Sequence, residues 1–384
     1  MSDNLFDRLF ELFQSPGPVN WKLAHEVVGS VAGAPDVVDP QLAEEYQELA
    51  LAAELRAAAI PGIDVTTGLE LHPVDRATWA VDNEQSFRFL IEPLAERLAG
   101  MAGVSGPMAQ VLQPLGPALV GMQAGSLVGL MSHTALGQFD AGLPALDHDR
   151  RYLIVPNVEA FAAGHALDAR QVRLWAATRE VVHHGILGVA WLRGRLVSLV
   201  ADYFADMHLD PGSLTERLSQ LQDPAQLQEI MGEGTGLPAL LGGETDPAKH
   251  DRIASLLLFI EGFGVWATRR VLHDLVPDLA AIERAADGDG EPSQAEEALL
   301  QLANLRVERS LVPVAASFVD DVERRWGRDA IASLWDDAEH PPLLNELDDP
   351  VGWAARVLLD DEAGMLEDLF GDEDPDTGTD DDAG

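Results

Sequence analysis

The chain has 384 residues, enough for one large domain or two modest ones, and its 47% hydrophobic content supports a substantial core. Its formal net charge of -40 argues against binding nucleic acid or an anionic membrane, since both need a basic footprint. Cysteine is absent, which excludes disulfides, thiolate zinc sites and thiol nucleophiles, so any metal must be held by His and carboxylate.

The acidity is spread along the chain. The run from Asp372 to Asp382 supplies seven negative charges, which leaves about -33 on the rest (-40 + 7). Lysine occurs only at Lys22 and Lys249, and every other cation is arginine. The first residues, MSDNLFDRLFELF, carry acids early and lack the apolar core of a signal peptide, so the expected location is cytoplasmic.

Residues 1 to 20 read as a short amphipathic segment stopped at Pro16-Gly17-Pro18. Trp21 to Val31 and Pro40 to Ala59 read as helices. Gly62 to Val74 has alternating, β-branched character, and Thr78 to Leu98 is helical again. Leu98 to Phe139 contains no Asp, Glu, Lys or Arg. A membrane span is one reading of it, but Pro107, Pro114 and Pro117 break its first half and several polar residues interrupt it. Two helices buried in a large core are the preferred reading. Within it Gly121, Gly125 and Gly129 fall at i, i+4 and i+8, a face without side chains that invites close approach, with the helix after Asp168 as the expected neighbour.

Tyr152 to Val155 is a short strand candidate ending at Pro156. Asp168 to Trp191 is the central helix, with Asp168 as N-cap and Gln171 placed to complete a capping box. Gly194 to His208 continues helical, Pro211 to Met231 is a polar helix-turn segment, and Gly232 to Pro247 is a loop. Lys249 to Leu275 is a second strongly apolar helix carrying Glu261 within LLLFIEGFGVW. Ser293 and Glu296 open a further helix, helices follow to Leu359, and the chain after Phe370 reads as disordered. No internal repeat and no second domain boundary is evident, so residues 1–370 are expected to form a single domain, with 371–384 as an acidic tail.

Two places bear on chemistry. The central helix contains Arg179, Glu180, His183 and His184. With His at 179 the segment would read H-E-x-x-H, in which two His on one helix face hold zinc and the Glu handles protons. Here the first of those ligands is an arginine, and Glu and His three apart also occur by chance. The second place is Glu261, an acid inside an apolar run. Burying such a carboxylate unpaired costs several kcal/mol, so a metal or an arginine is the expected partner, unless it lies part-exposed on an amphipathic face. His165, His208, His250 and His273 are scattered singly and read as surface or capping residues. No Gly-rich phosphate loop, G-x-S-x-G elbow or dinucleotide fingerprint is present.

At these residues the chain resembles the actinobacterial zincin-like family of candidate metallopeptidases. That family was once catalogued as a domain of unknown function, and members carry labels such as hydrolase or coenzyme F420 biosynthesis-associated protein. The resemblance runs through PGPVNWKLA (16–24), GMQAGSLVG with LGQFD (121–140), YLIVPNVEAF (152–161), LWAATREVVHH (174–184), FIEGF (259–263), and WGRDAIASLW with LLNELDDP (326–350). It implies a mainly α, zincin-like fold with few short strands, and zinc as the family's cofactor. It places Glu180 at the general-base position and His183 at the second ligand position, with Glu261 as a plausible third ligand. Arg179 stands where the first ligand belongs, and a guanidinium stays protonated and cannot ligate zinc.

The expectation is therefore a metallopeptidase-family protein with a degenerate metal site (RExxHH). It would bind a peptide or protein without cutting it, with Arg179 in the metal's place and no zinc. The alternative is an active zinc-dependent hydrolase using His183, Glu261 and a substitute ligand such as His184. A membrane-associated protein using Leu98 to Phe139 is the third possibility.

Overall fold

In the computed structural model, residues 17–359 are described apart from 67, 102–106, 141–143, 147–149, 208–245, 288–296, 298–304 and 306. The amphipathic start up to residue 16, the segments read over 211–247 as far as residue 245, the Ser293 cap and the acidic tail lie outside the described residues. Two neighbouring helices, α1 (Trp21–Ala32) and α2 (Pro40–Ala57), begin at side-chain caps: Asn20 accepts from the Leu23 amide and Asp39 from the Gln41 amide. Strand β1 (Leu71–Val74) follows, then α3 (Arg76–Asn83) and α4 (Arg88–Met101). Among the described residues of the alternating stretch 62–74, only the last four pair as a strand. The helix expected over 78–98 is divided at 84–87. There Asn83 turns its side-chain amide back onto the Trp79 carbonyl and Phe87 is fully buried.

The charge-free stretch forms α5 (Pro107–Thr134), whose backbone stays helical through Pro114 and Pro117 instead of breaking there. Its glycine face is closely packed, but against α1 and not the helix after Asp168. A Cβ on Gly121 would lie 2.3 Å from the Asn20 carbonyl oxygen, one on Gly125 2.4 Å from that of Ala24, and one on Gly129 2.6 Å from Val31 Cβ. A glycine is required wherever a neighbouring backbone comes this close. No helix among the described residues is long and apolar enough to cross a membrane.

Strand β2 (Arg151–Ile154) pairs in parallel with β1, in register Leu71 to Arg151, and runs directly into α6 (Val155–Gly164), with Pro156 in its first turn. The other edge of β2 is occupied by residues 136–137: Ile154 donates to the Leu136 carbonyl, and Gly137 bridges Leu153 in antiparallel fashion. Helix α7 (Ala169–Leu187) is the central one. Thirteen of its 19 residues are buried, which places it inside the fold and not on its surface. Asp168 caps it by accepting from the Gln171 amide at 2.9 Å. The Gln171 side chain does not complete the capping box; it pairs with Asp278. The helix stops at Leu187, where the Gly188 amide closes back on the preceding carbonyls, four residues short of Trp191.

Helix α7 packs on α2 and on α9 (Pro247–Leu272), with α8 (Leu192–Ala205) also against α9. Further helices are α10 (Leu279–Asp287), α11 (Val312–Trp326), α12 (Arg328–Ser333) and α13 (350–359). The fold is mainly α, with two short strands among the described residues, and one contiguous apolar core includes residues from Val19 to Val357.

Candidate functional site

Arg179 and His183 lie one turn apart on α7 and share a face. Opposite them on α9, Glu261 and Gly264 are also one turn apart. The glycine makes the juxtaposition possible: a Cβ at 264 would lie 2.5 Å from the His183 ring. The imidazole can therefore seat on the α9 backbone, and Glu261 reaches it from the preceding turn.

The His183 ring is held on three sides. Phe139 stacks on it at 5.4 Å between centroids. Nδ1 lies 2.9 Å from the Arg179 carbonyl, an acceptor, so Nδ1 carries a proton and donates. Nε2 then faces Glu261 Oε2 at 3.5 Å, an ion-pair distance when the ring is protonated and too long for a strong hydrogen bond.

The Arg179 guanidinium stacks over Trp175 at 5.3 Å and divides its charge between two carboxylates. Nη1 donates to Asp140 Oδ1 at 2.5 Å, and Nη2 stands 3.5 Å from Glu261 Oε2. All three side chains are largely buried, with 19% of Arg179, 17% of Asp140 and 25% of Glu261 exposed. Asp140 is fixed in turn by its own loop, its Oδ2 accepting from the Leu136 and Gly137 amides at 2.9 and 2.8 Å. Burial works against the charge on Arg179, but Asp140, then Glu261 and Glu180, hold its pKa above the usual arginine value. For Glu261 burial pushes upward, and His183, Arg179 and Arg309 together outweigh it and bring the carboxyl down to about 2.

Glu180, beside this cluster, is held by the 137–138 loop. Its Oε1 accepts from the Gln138 amide at 2.8 Å, and Gly137 packs so closely that any Cβ there would collide with the carboxylate. Its Oε2 has no hydrogen-bond partner among the described residues. Burial first, then Asp140, pushes its pKa well above the usual carboxylate range.

Asp140, Arg179 and Glu261 open onto a cleft of about 340 Å³ with apolar walls that include Phe161, Trp175, Leu257, Val265 and Val312. The structure thus brings Arg179, His183 and Glu261 together as the sequence suggested, with Glu180 adjacent. His184 is buried and does not line the cleft. Asp140 was missed by sequence reasoning. Its signal was positional: it is the first charge after the uncharged stretch ending at Phe139.

The fit to zinc rests on the donor set. His183 Nε2 and Glu261 are two donors, while the third direction is filled by a guanidinium that has no lone pair to offer. Among the described residues no group of three or more His, Asp or Glu is arranged to hold a metal ion. The residues as placed do not make a three-ligand zinc site.

The buried α7 carries Glu180 and His183 at the spacing of H-E-x-x-H, with Arg179 at its first position and the Glu261 carboxylate delivered from α9. Residues 19–354 match the family described as zincin-like metallopeptidase, and the chain belongs to that family. No curated protein matches the chain. Among solved structures it is similar to a protein from Chloroflexus aurantiacus described as a candidate hydrolase with a novel fold. The two share 20% identity over 88% of this chain and 98% of that one, with a TM-score of 0.61, a likeness of fold.

Proposed function

We propose that this zincin-family protein binds a peptide or protein segment in the cleft beside Arg179 without cleaving it. The observation that carries the reading is the guanidinium between Asp140 and Glu261, filling the place of a metal with a cation that is part of the chain. Zinc in this family would polarise a substrate carbonyl and supply a bound hydroxide. A guanidinium can do only the first, as a hydrogen-bond donor to a carbonyl or carboxylate oxygen. Glu180 already accepts from the Gln138 amide and its burial disfavours the ionised form, both of which weaken it as a general base. The aromatic and aliphatic walls then supply apolar contact and the Arg179 cluster supplies polarity at one end, the usual division of labour in a binding cleft.

The alternative, an active zinc-dependent hydrolase, draws on the same His183 Nε2 and Glu261 and needs a third donor. Metal analysis of the wild type beside Arg179→His distinguishes them. The binding-protein reading expects no stoichiometric zinc in the wild type and zinc uptake in Arg179→His. Stoichiometric zinc in the wild type, lost on His183→Ala or Glu261→Ala, overturns it.

A further inference from the structure

A second cleft, of about 220 Å³, is lined by Arg56, Ile60, Pro61, Arg270, Glu323 and Arg328, and shares no residue with the first. Its charge is the reverse of the molecule's. The chain has 65 acids against 25 Lys and Arg, yet this cleft gathers three arginines around one glutamate. Glu323 is taken by Arg270 through two contacts, at 2.7 and 2.8 Å, and no other carboxylate among the described residues lines the cleft for Arg56 and Arg328.

Helix ends explain two of these arginines and not the third. Arg56 and Arg270 occupy the last turns of α2 and α9, where the helix dipole favours a cation. Arg328 is the first residue of α12, the end at which a cation is disfavoured. It is nonetheless directed across the cleft, donating to the Ala59 carbonyl beside Arg56. Arg56 itself makes no side-chain hydrogen bond or ion pair with the described residues. Four separate segments, α2 with its following loop, α9, α11 and α12, converge to place these groups.

We propose that this arginine cleft binds a doubly charged oxyanion: a phosphate group, free or carried by a small molecule. Two guanidinium groups match such an anion in charge, and their planar N–H forks match its oxygens in geometry. The strongly negative field of the whole chain repels anions, so saturable phosphate binding requires a local site of this kind.

The test is isothermal titration of the full chain at low ionic strength with inorganic phosphate and with glycerol 3-phosphate. Wild type is compared with Arg56→Ala, Arg56→Lys, and an Arg324→Ala control outside the cleft. Saturable binding is expected in wild type, weakened about tenfold in Arg56→Ala, partly restored in Arg56→Lys and unchanged in Arg324→Ala. Arg56 is an exposed side chain without a partner, so its truncation leaves the fold intact. Tighter binding of glycerol 3-phosphate identifies a phosphorylated small molecule as the source; equal binding identifies the free anion. Absence of saturable binding in wild type, or equal affinity in wild type and Arg56→Ala, overturns the proposal.

Discussion

The Arg179 guanidinium offsets two carboxylates at once, so removing it leaves both in a largely buried place. Breaking such a buried pair by deleting one partner costs about 3 kcal/mol or more. Arg179→Ala should lower stability by that order in urea denaturation at pH 7, with Arg179→Lys recovering only part, since an ammonium cannot fork to both acids. A loss below roughly 0.5 kcal/mol, the size expected of an exposed pair, would place the cluster in solvent. The two glutamates respond to pH in opposite senses. Glu261 is held near 2, below the usual 4.5, so its contribution is present above about pH 4.5 and is lost as pH falls toward 2. Glu261→Gln should therefore be less stable than wild type at pH 7, and the gap should narrow below pH ~4.5. Glu180 is raised, so the folded state holds a proton that the unfolded chain releases above about pH 4.5, and stability falls as pH rises through that window. Glu180→Gln keeps the acceptor for the Gln138 amide and removes this cost. Its melting temperature at pH 8 should equal or exceed the wild-type value; a clear loss would mean that the ionised carboxylate is needed.

The α1–α5 contact depends on three glycines, of which Gly125 is the middle one. At Gly125 a Cβ already meets the Ala24 carbonyl, so Gly125→Leu must push the two helices apart, at a cost on the order of 3 kcal/mol. A melting temperature equal to that of wild type would show the face to be open. The glycine spacing declared this contact in the sequence, but not its partner. Three glycines at i, i+4 and i+8 state that something comes close, and only tertiary structure selects α1. The helices with strong caps and apolar periodicity, α1, α2, α7 and α9, were legible to within a few residues. The alternating stretch 62–74 was not, because alternation describes a strand only where another strand is available to pair with it. In the site, the i, i+4 spacing of Arg179 and His183 and the isolation of Glu261 were visible. Asp140 was not, because a carboxylate on a loop has no periodicity to place it.

For the whole molecule the dominant fact is charge. A chain at -40 with two lysines repels itself when folded, and screening should relieve that repulsion. Melting temperature is expected to rise between about 0.02 M and about 0.5 M NaCl. The ion pair of Arg179 with Asp140 is largely buried, so its double-mutant coupling should change little over the same range. A fall in stability with salt would mean that favourable surface pairs outweigh the net repulsion. Packing around α7 and α9 fixes the architecture, while the chemistry of the cleft is set by single residues such as position 179.

Arginine and histidine codons can differ by a single base, so the exchange at position 179 is within one point mutation in either direction. The loop amides on Asp140 make the two directions unequal. Asp140 stays pinned by the Leu136 and Gly137 amides whatever residue occupies 179, and Glu261 stays on α9 beside it. A histidine arriving there without a metal ion would face two carboxylates that have lost their counter-charge. The pinned loop therefore makes Arg179→His costly unless metal uptake comes with the mutation.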